Sequence, residues 1–134
     1  MNNLVLTSHG NFCTELKNTV EMIMGPQENI YTVPLLAEEG EQEFLAKFAK
    51  ETSTLEKYIV FSDLLGGTPC NVLSKKLMTG ASFELYAGMN LPMVISFING
   101  TLLNEASDFV GEARENIIKV NEIIVADIFD EEDE

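Results

Sequence analysis

The stretch "LVLTSHGNFCTELKNTVEMIMGP", residues 4–26, contains a strand pattern followed directly by a helix pattern. Residues 4–8 are mostly apolar or β-branched and predict a buried strand. After them, apolar residues recur at steps of four, four and three, as on one face of a helix: Phe12, Leu16, Val20 and Ile23. Gly25-Pro26 is a helix stop signal. The segment is therefore predicted to be a strand followed by a helix, the unit from which parallel sheets are built.

The same alternation of strand and helix patterns continues along the chain. Further strands are predicted at 30–35, 58–64, 82–88 and 122–129. Further helices are predicted around 44–49, from 69 to 78, at 92–98, and as one long helix from 102 to 117. This order predicts an α/β fold with a doubly wound, mostly parallel sheet and helices on both faces. We expect the strand order 2-1-3-4, with the last strand added antiparallel.

The length and composition of the chain favour one domain that carries an excess of negative charge. The chain has 134 residues, of which 46% are apolar, so we expect a single domain over 1–129 and a solvated acidic tail over 130–134. Eight basic against 22 acidic residues give a net charge of −14, which argues against nucleic acid and favours a partner protein with a basic face. With no signal-peptide pattern and no apolar run of membrane-spanning length, we expect a cytoplasmic protein.

The only histidine of the chain and one aspartate end two strands that should lie side by side. His9 ends the first strand and Asp63 ends the third, and adjacent strands are about 4.8 Å apart. A carboxylate at that distance can hold one nitrogen of the imidazole and leave the other with a free lone pair. The carboxyl ends of the two strands also meet at the switch point, where open α/β sheets bind ligands. His9 and Asp63 are therefore the predicted catalytic residues.

The loops that leave these strands carry an anion-binding pattern. Gly66-Gly67 allows a positive φ and close backbone approach, and Thr68-Pro69 predicts an N-cap followed by the first residue of a helix. Helix N-termini attract anions such as phosphate. The predicted phosphoryl-binding residues are Gly66, Gly67, Thr68 and Gly10. The predicted pocket wall consists of Ser8, Asn11, Met89 and Leu91.

Two other classes of function compete with a phosphohistidine. A receiver-type signalling domain shares this fold and would be phosphorylated on Asp63. Such a domain requires an acidic pair after the first strand, however, and this chain has Ser8-His9 there. A metal or redox module would use His9 with Cys13 and Cys70, although the cysteines have neither metal-site nor disulfide spacing. A helix N-terminus can lower a thiol pKa, which keeps the redox alternative open. We expect neither a metal nor a cofactor.

Three segments together resemble a known bacterial family. They are "SHGNFCTELKNTVEMIMGPQENI" (8–30), "FSDLLGGTPCN" (61–71) and "AGMNLPM" (87–93). In this order they closely resemble the mannose-family IIA component of the phosphoenolpyruvate-dependent sugar phosphotransferase system, over nearly the whole chain. The resemblance implies that His9 is phosphorylated on Nε2 and that Asp63 orients it. Thr68 stands where the family often has serine.

The resemblance also implies partners. The phosphocarrier protein HPr would donate the phosphoryl group, and a IIB protein on a separate chain would accept it. Sugar uptake would then proceed through the membrane IIC and IID components. The family is typically a homodimer that can exchange its last strand, here predicted at 122–129. A regulatory phosphorelay would show the same motifs, and the transported sugar cannot be read from them.

Overall fold

The computed structural model describes residues 2–124 and contains four strands in one sheet. They are β1 (Asn3–His9), β2 (Ile30–Leu35), β3 (Tyr58–Ser62) and β4 (Glu84–Ala87). The sheet has the order β2-β1-β3-β4, and each neighbouring pair is parallel. The predicted order 2-1-3-4 is confirmed. Since all four strands run the same way, their carboxyl ends lie at one edge of the sheet.

Five helices pack on the two faces of this sheet. They are α1 (Phe12–Met24), α2 (Glu41–Thr52), α3 (Thr68–Met78), α4 (Leu91–Leu103) and α5 (Phe109–Glu115). Side chains alternate along β1, so Leu4 and Leu6 pack with α1, α4 and α5, whereas Val5 packs with α2 and α3. Helices on both faces are therefore confirmed.

Each face of the sheet has its own core. On the first face, Phe61 packs edge-on against Tyr86 and Phe109, with ring centroids 5.6 and 5.3 Å apart. On the second face, Phe44 and Phe48 of α2 are buried beneath the sheet. Burying a side chain of this size contributes about 1.5–3 kcal/mol. These two cores fix the sheet and so fix where its strand ends lie.

The buried face of α1 differs in part from the predicted one. Leu16 and Val20 are buried as predicted, but the third buried residue is Cys13, and Phe12 and Ile23 are exposed. The set Cys13, Leu16 and Val20 follows steps of three and four, so it forms a helical face equally well. Packing against the sheet selected this face, and it left Phe12 free at the start of the helix.

The predicted long helix from 102 to 117 is wrong, because the chain turns after Leu103. Asn104 adopts a left-handed conformation with φ 53° and ends α4, and the N–H of Glu105 donates to the carbonyl of Gly100 at 2.9 Å. Asp108 then starts α5 by accepting from the N–H of Gly111 at 3.1 Å. The break lets Phe109 reach the aromatic core.

The predicted strand at 122–129 is also corrected where the structure describes it. Residues 120–124 are helical, and the rest of the predicted strand, 125–129, lies outside the described residues. Val120, Ile123 and Ile124 stand at steps of three and one, a helical spacing, although their β-branched side chains favour strands. No helix among residues 2–124 is both long and apolar enough to cross a membrane.

The end of β2 is held by a charged pair from the following segment. Lys47 of α2 donates to the carbonyl of Pro34 and to Glu39 Oε1, 2.6 Å away. Glu39 Oε1 also accepts the N–H of Leu36 at 2.8 Å. The hydrogen bond from Lys47, followed by that from Leu36, holds the pKa of Glu39 below its ordinary value. This clamp orders the edge of the sheet beside His9.

Candidate active site

His9 and Asp63 are in direct contact at the carboxyl edge of the sheet. His9 is the last residue of β1, and Asp63 directly follows β3. Asp63 Oδ2 lies 2.9 Å from His9 Nδ1 and 2.9 Å from the backbone nitrogen of His9. A carboxylate only accepts hydrogen bonds, so this contact assigns the ring hydrogen to Nδ1. The lone pair is then on Nε2, the nitrogen that the family resemblance implies.

The two side chains differ in their exposure. The imidazole of His9 is 46% exposed, whereas the side chain of Asp63 is only 14% exposed. Among the described residues, the buried Oδ1 of Asp63 has no hydrogen-bond partner. His9 therefore supplies, through its backbone N–H and its ring, the hydrogen bonds that this carboxylate accepts. The arrangement presents an oriented ring to solvent over a largely buried carboxyl group.

The two glycines of the predicted Gly66-Gly67 pair have different functions in the structure. Gly66 adopts a positive φ of 86° and makes the turn. Gly67 provides the close approach, since a Cβ atom built on it would lie 2.5 Å from His9 Cε1. Gly67 is also the N-cap of α3, so the predicted N-cap at Thr68 is wrong by one residue. The residue that starts α3 therefore lies against the imidazole.

The N-terminus of α3 faces the same edge of the sheet. The first backbone bond within this helix runs from the N–H of Asn71 to the carbonyl of Gly67, at 2.9 Å. Two amides, of Thr68 and Cys70, precede it, and Pro69 has no N–H to offer. Thr68 is exposed and Pro69 is buried. An exposed hydroxyl and the positive end of a helix dipole thus adjoin His9.

Gly10 and Ser8 shape the turn that follows His9. Gly10 has φ 57°, and its N–H donates to the carbonyl of Leu35 at 2.7 Å. Ser8 is fully buried, and its hydroxyl donates to the carbonyl of Gly10 and accepts the N–H of Cys13 at 2.8 Å. Ser8 therefore does not line a pocket as predicted, because it caps α1 from beneath. Asn11 is exposed, as a pocket wall requires.

The two residues of the predicted pocket wall that follow β4, Met89 and Leu91, lie mostly in the core. Met89 is buried in the core, and its N–H donates to the carbonyl of Ser62 at 3.0 Å, so it does not face the site as predicted. Leu91 is half-buried against the same core. β3 and β4 end level with each other, at Ser62 and Ala87, and the bond from Met89 to Ser62 turns the loop after β4 back onto the core.

Three exposed apolar side chains near the motif residues were missed in the predicted site. Leu64 and Leu65 directly follow Asp63, and Phe12 begins the helix after His9. Large apolar residues inside an otherwise polar, glycine-rich loop are the signal that would have found them. They give the surface around His9 an apolar component that a docking protein can bury.

The cysteines lie inside the fold. Cys13 and Cys70 are both buried in the first turns of α1 and α3. Burial raises the pKa of the Cys13 thiol despite the hydrogen bonds that favour its thiolate. The lowered thiol pKa considered for a redox site is thus wrong for Cys13. Across residues 2–124, no three His, Cys, Asp or Glu side chains are grouped to hold a metal ion.

Comparison with known proteins gives a consistent result. Residues 3–118 match the EIIA-man family model, described as "PTS system fructose IIA component". The chain is 28% identical over 102 residues to the PTS system fructose-specific EIIA component of Bacillus subtilis (strain 168), with 74% of this chain and 70% of that protein covered. It is 30% identical over 95 residues to the PTS system mannose-specific EIIAB component of Escherichia coli (strain K12), of which it covers 29%. A PTS IIA protein associated with the fucose utilization operon of Streptococcus pneumoniae superimposes with a TM-score of 0.81 at 25% identity, covering 92% of this chain and 96% of that one.

Proposed function

Because this chain belongs to the mannose-type IIA family of the sugar phosphotransferase system, we propose that it carries a phosphoryl group on His9. The donor is phospho-HPr, and the acceptor is a IIB protein. The observation that carries the proposal is the 2.9 Å contact between Asp63 Oδ2 and His9 Nδ1, which leaves the exposed Nε2 as the nucleophile.

The transfer exchanges one phosphorus–nitrogen bond for another. The lone pair of His9 Nε2 attacks phosphorus in line while the bond to the histidine of HPr breaks, and the electron pair of that bond returns to the HPr imidazole. Nδ1 keeps its hydrogen, which Asp63 holds. Because the broken and formed bonds are of the same kind, the reaction is close to isoenergetic and reversible, as a carrier requires.

The residues at the start of α3 would stabilise the transferring group. A loose transition state spreads negative charge over the equatorial oxygens of phosphorus. The amides of Thr68 and Cys70 and the hydroxyl of Thr68 are the donors that this helix end offers. Gly66 and Gly10 serve by making the turns of the two loops that meet at His9. The step needs neither a metal nor a cofactor.

The partners follow from the same assignment. We assign the protein to the cytoplasm, where it would supply membrane IIC and IID components through IIB. Both HPr and IIB must bring a histidine to the same atom, so both would bury the exposed Phe12, Leu64 and Leu65. The net charge of −14 favours partners with a basic docking face. We further propose a homodimer, as in the family.

The test is phosphorylation of the purified full chain by phosphoenolpyruvate, enzyme I and HPr. We expect acid-labile, base-stable phosphate on the wild type and none on His9→Ala, since His9 is the only histidine of the chain. Uptake of acid-labile phosphate by His9→Ala would contradict the proposal. Phosphate that is stable in acid and released by hydroxylamine would instead identify Asp63 as the acceptor, as in a receiver domain.

A further inference from the structure

The imidazole of His9 lies against the backbone of Gly67. An ideal Cβ atom at this position would be 2.5 Å from His9 Cε1 and 3.2 Å from Nε2. Asp63 holds the adjacent ring atom, Nδ1. The ring therefore has two close neighbours, a carboxylate that holds it and a backbone without a side chain that leaves room for it.

The backbone conformation of Gly67 does not itself require glycine. Its φ of −78° and ψ of 163° are extended values that any residue adopts. Gly10, Gly66 and Gly88 differ, because their φ values lie between 57° and 86°, in the region that favours glycine. For Gly67 the close obstacle to a side chain is the ring of His9.

The segment that carries Gly67 is held firmly. The N–H of Gly67 donates to the carbonyl of Leu64 at 3.2 Å, and its own carbonyl accepts from the N–H of Asn71 at 2.9 Å. The side chain of Asn71 also donates to the carbonyl of Gly66 at 3.0 Å. A methyl group at position 67 would thus displace the half-exposed ring and leave the anchored backbone in place.

We propose that Gly67 is a positioning residue that acts through its missing side chain, by keeping His9 seated against Asp63. This deepens the proposed function and rests on it for its effect on phosphoryl transfer. A side chain at position 67 would push the ring outward, break the hydrogen bond between Nδ1 and Asp63, and release the tautomer. Nε2 would then carry the hydrogen in part of the molecules and would lose its alignment with the N-terminus of α3.

The direct test is NMR spectroscopy of the imidazole nitrogens in the full chain. The wild type should show a hydrogen on Nδ1 and a bare Nε2. Gly67→Ala should shift both ¹⁵N resonances towards those of a free, exchanging imidazole. Unchanged ring resonances in Gly67→Ala would overturn the proposal. This readout needs no phosphoryl donor, so it stands apart from the test of the proposed function.

A stability cycle with His9→Ala separates the ring from the backbone. We expect Gly67→Ala to lower Tm in the wild type and to leave it unchanged or raise it in the His9→Ala background, where the obstacle is gone. An equal loss of Tm in both backgrounds would assign the cost to the backbone and overturn the proposal. This cycle distinguishes a clash with the ring from a backbone cost even if Gly67→Ala alone is poorly folded.

The matched control is Gly40→Ala. Gly40 is the N-cap of α2, is also extended, and has only Glu43 Oε2 near its added Cβ, at 3.4 Å. Single-turnover transfer from phospho-HPr should slow by about 10- to 100-fold in Gly67→Ala, as misplacement of a reacting atom predicts, and should be unchanged in Gly40→Ala. Equal rates in the wild type and Gly67→Ala would contradict the positioning function, whereas no uptake by the wild type would contradict the phosphocarrier assignment instead.

Discussion

At the scale of single residues, the site depends on one oxygen atom that accepts two hydrogen bonds. Asp63 Oδ2 holds both the backbone N–H and the Nδ1 of His9, each at 2.9 Å. The first bond places the residue and the second orients its ring. The same atom therefore couples the end of β1 to the end of β3 and sets which ring nitrogen is free.

Replacing this carboxylate by an amide should impair transfer but not folding. In Asp63→Asn one atom of the amide must face both the backbone N–H and the Nδ1 of His9. If the amide oxygen takes this place, both contacts remain but lose the negative charge that strengthens them. If the NH₂ group takes it, it donates to Nδ1, which favours the tautomer with hydrogen on Nε2 and removes the nucleophile. We expect single-turnover transfer from phospho-HPr to slow by about 100-fold or more.

The control for this variant is Asp108→Asn. Asp108 caps α5 away from the site, and asparagine caps helices as well as aspartate does. Its transfer rate should equal that of the wild type, and both variants should keep the far-UV circular dichroism of the wild type. Wild-type transfer rates in Asp63→Asn would remove Asp63 from the proposed mechanism.

At the scale of elements, α1 begins on a buried hydroxyl that is not its formal N-cap. Asn11 occupies the N-cap position, yet its side chain makes no capping bond. Ser8 accepts the N–H of Cys13 instead and also holds the carbonyl of Gly10. The turn that carries His9 is thus tied to the helix by a residue on the opposite face of β1.

Ser8→Ala should therefore destabilise the protein more than Asn11→Ala. Loss of a capping hydroxyl that leaves a buried amide unpaired costs about 1–2 kcal/mol of unfolding free energy. Loss of an exposed side chain that bonds to nothing should cost less than about 0.5 kcal/mol. Urea denaturation of both variants measures the difference. A larger loss in Asn11→Ala would show that the cap is assigned to the wrong residue.

The helices and strands also differ in how well the sequence pattern predicts them. The βα units up to α3 were predicted in the right order and place, because they have a clear apolar period and a strong stop such as Gly25-Pro26. Their bounds were less accurate, since α2 extends three residues beyond the predicted 44–49 at each end and β3 ends two residues before the predicted 64. Beyond residue 100 the apolar period alone was misleading. The apolar period continues on both sides of Asn104, so it gives no sign that the helix ends there. The helix ends because Asn104 adopts a left-handed turn, which allows Phe109 to reach Phe61.

At the scale of the whole molecule, an apolar surface remains beyond the two cores. Leu102 is 74% exposed at the end of α4, and Leu103 beside it is also exposed. The described residues that follow α5 add further exposed apolar side chains: Ile117, Ile118, Val120, Ile123 and Ile124. Exposed apolar side chains that neighbour one another within each of these segments favour an interface, which supports the proposed homodimer.

Sedimentation velocity of the full chain tests this interface. We expect the wild type to sediment as a dimer at micromolar concentration and the double variant Leu102→Glu/Leu103→Glu to shift towards monomer, since buried charges at an interface are costly. Met78→Glu is the matched control, because Met78 is 84% exposed at the end of α3, on the other face of the sheet. A monomeric wild type would contradict the homodimer, and a dimeric double variant would place its interface elsewhere.

The sequence by itself determined the strand order and the pairing of His9 with Asp63. Both follow from local patterns, since alternating strands and helices leave few topologies and the carboxyl ends of neighbouring parallel strands must meet. Sequence patterns do not carry the direction in which each side chain points once the layers pack. Ser8 turned inward, Met89 entered the core, and Gly67 came within van der Waals distance of the imidazole. Only the tertiary structure decided these contacts, because each joins atoms whose separation depends on the packing of whole helices against the sheet.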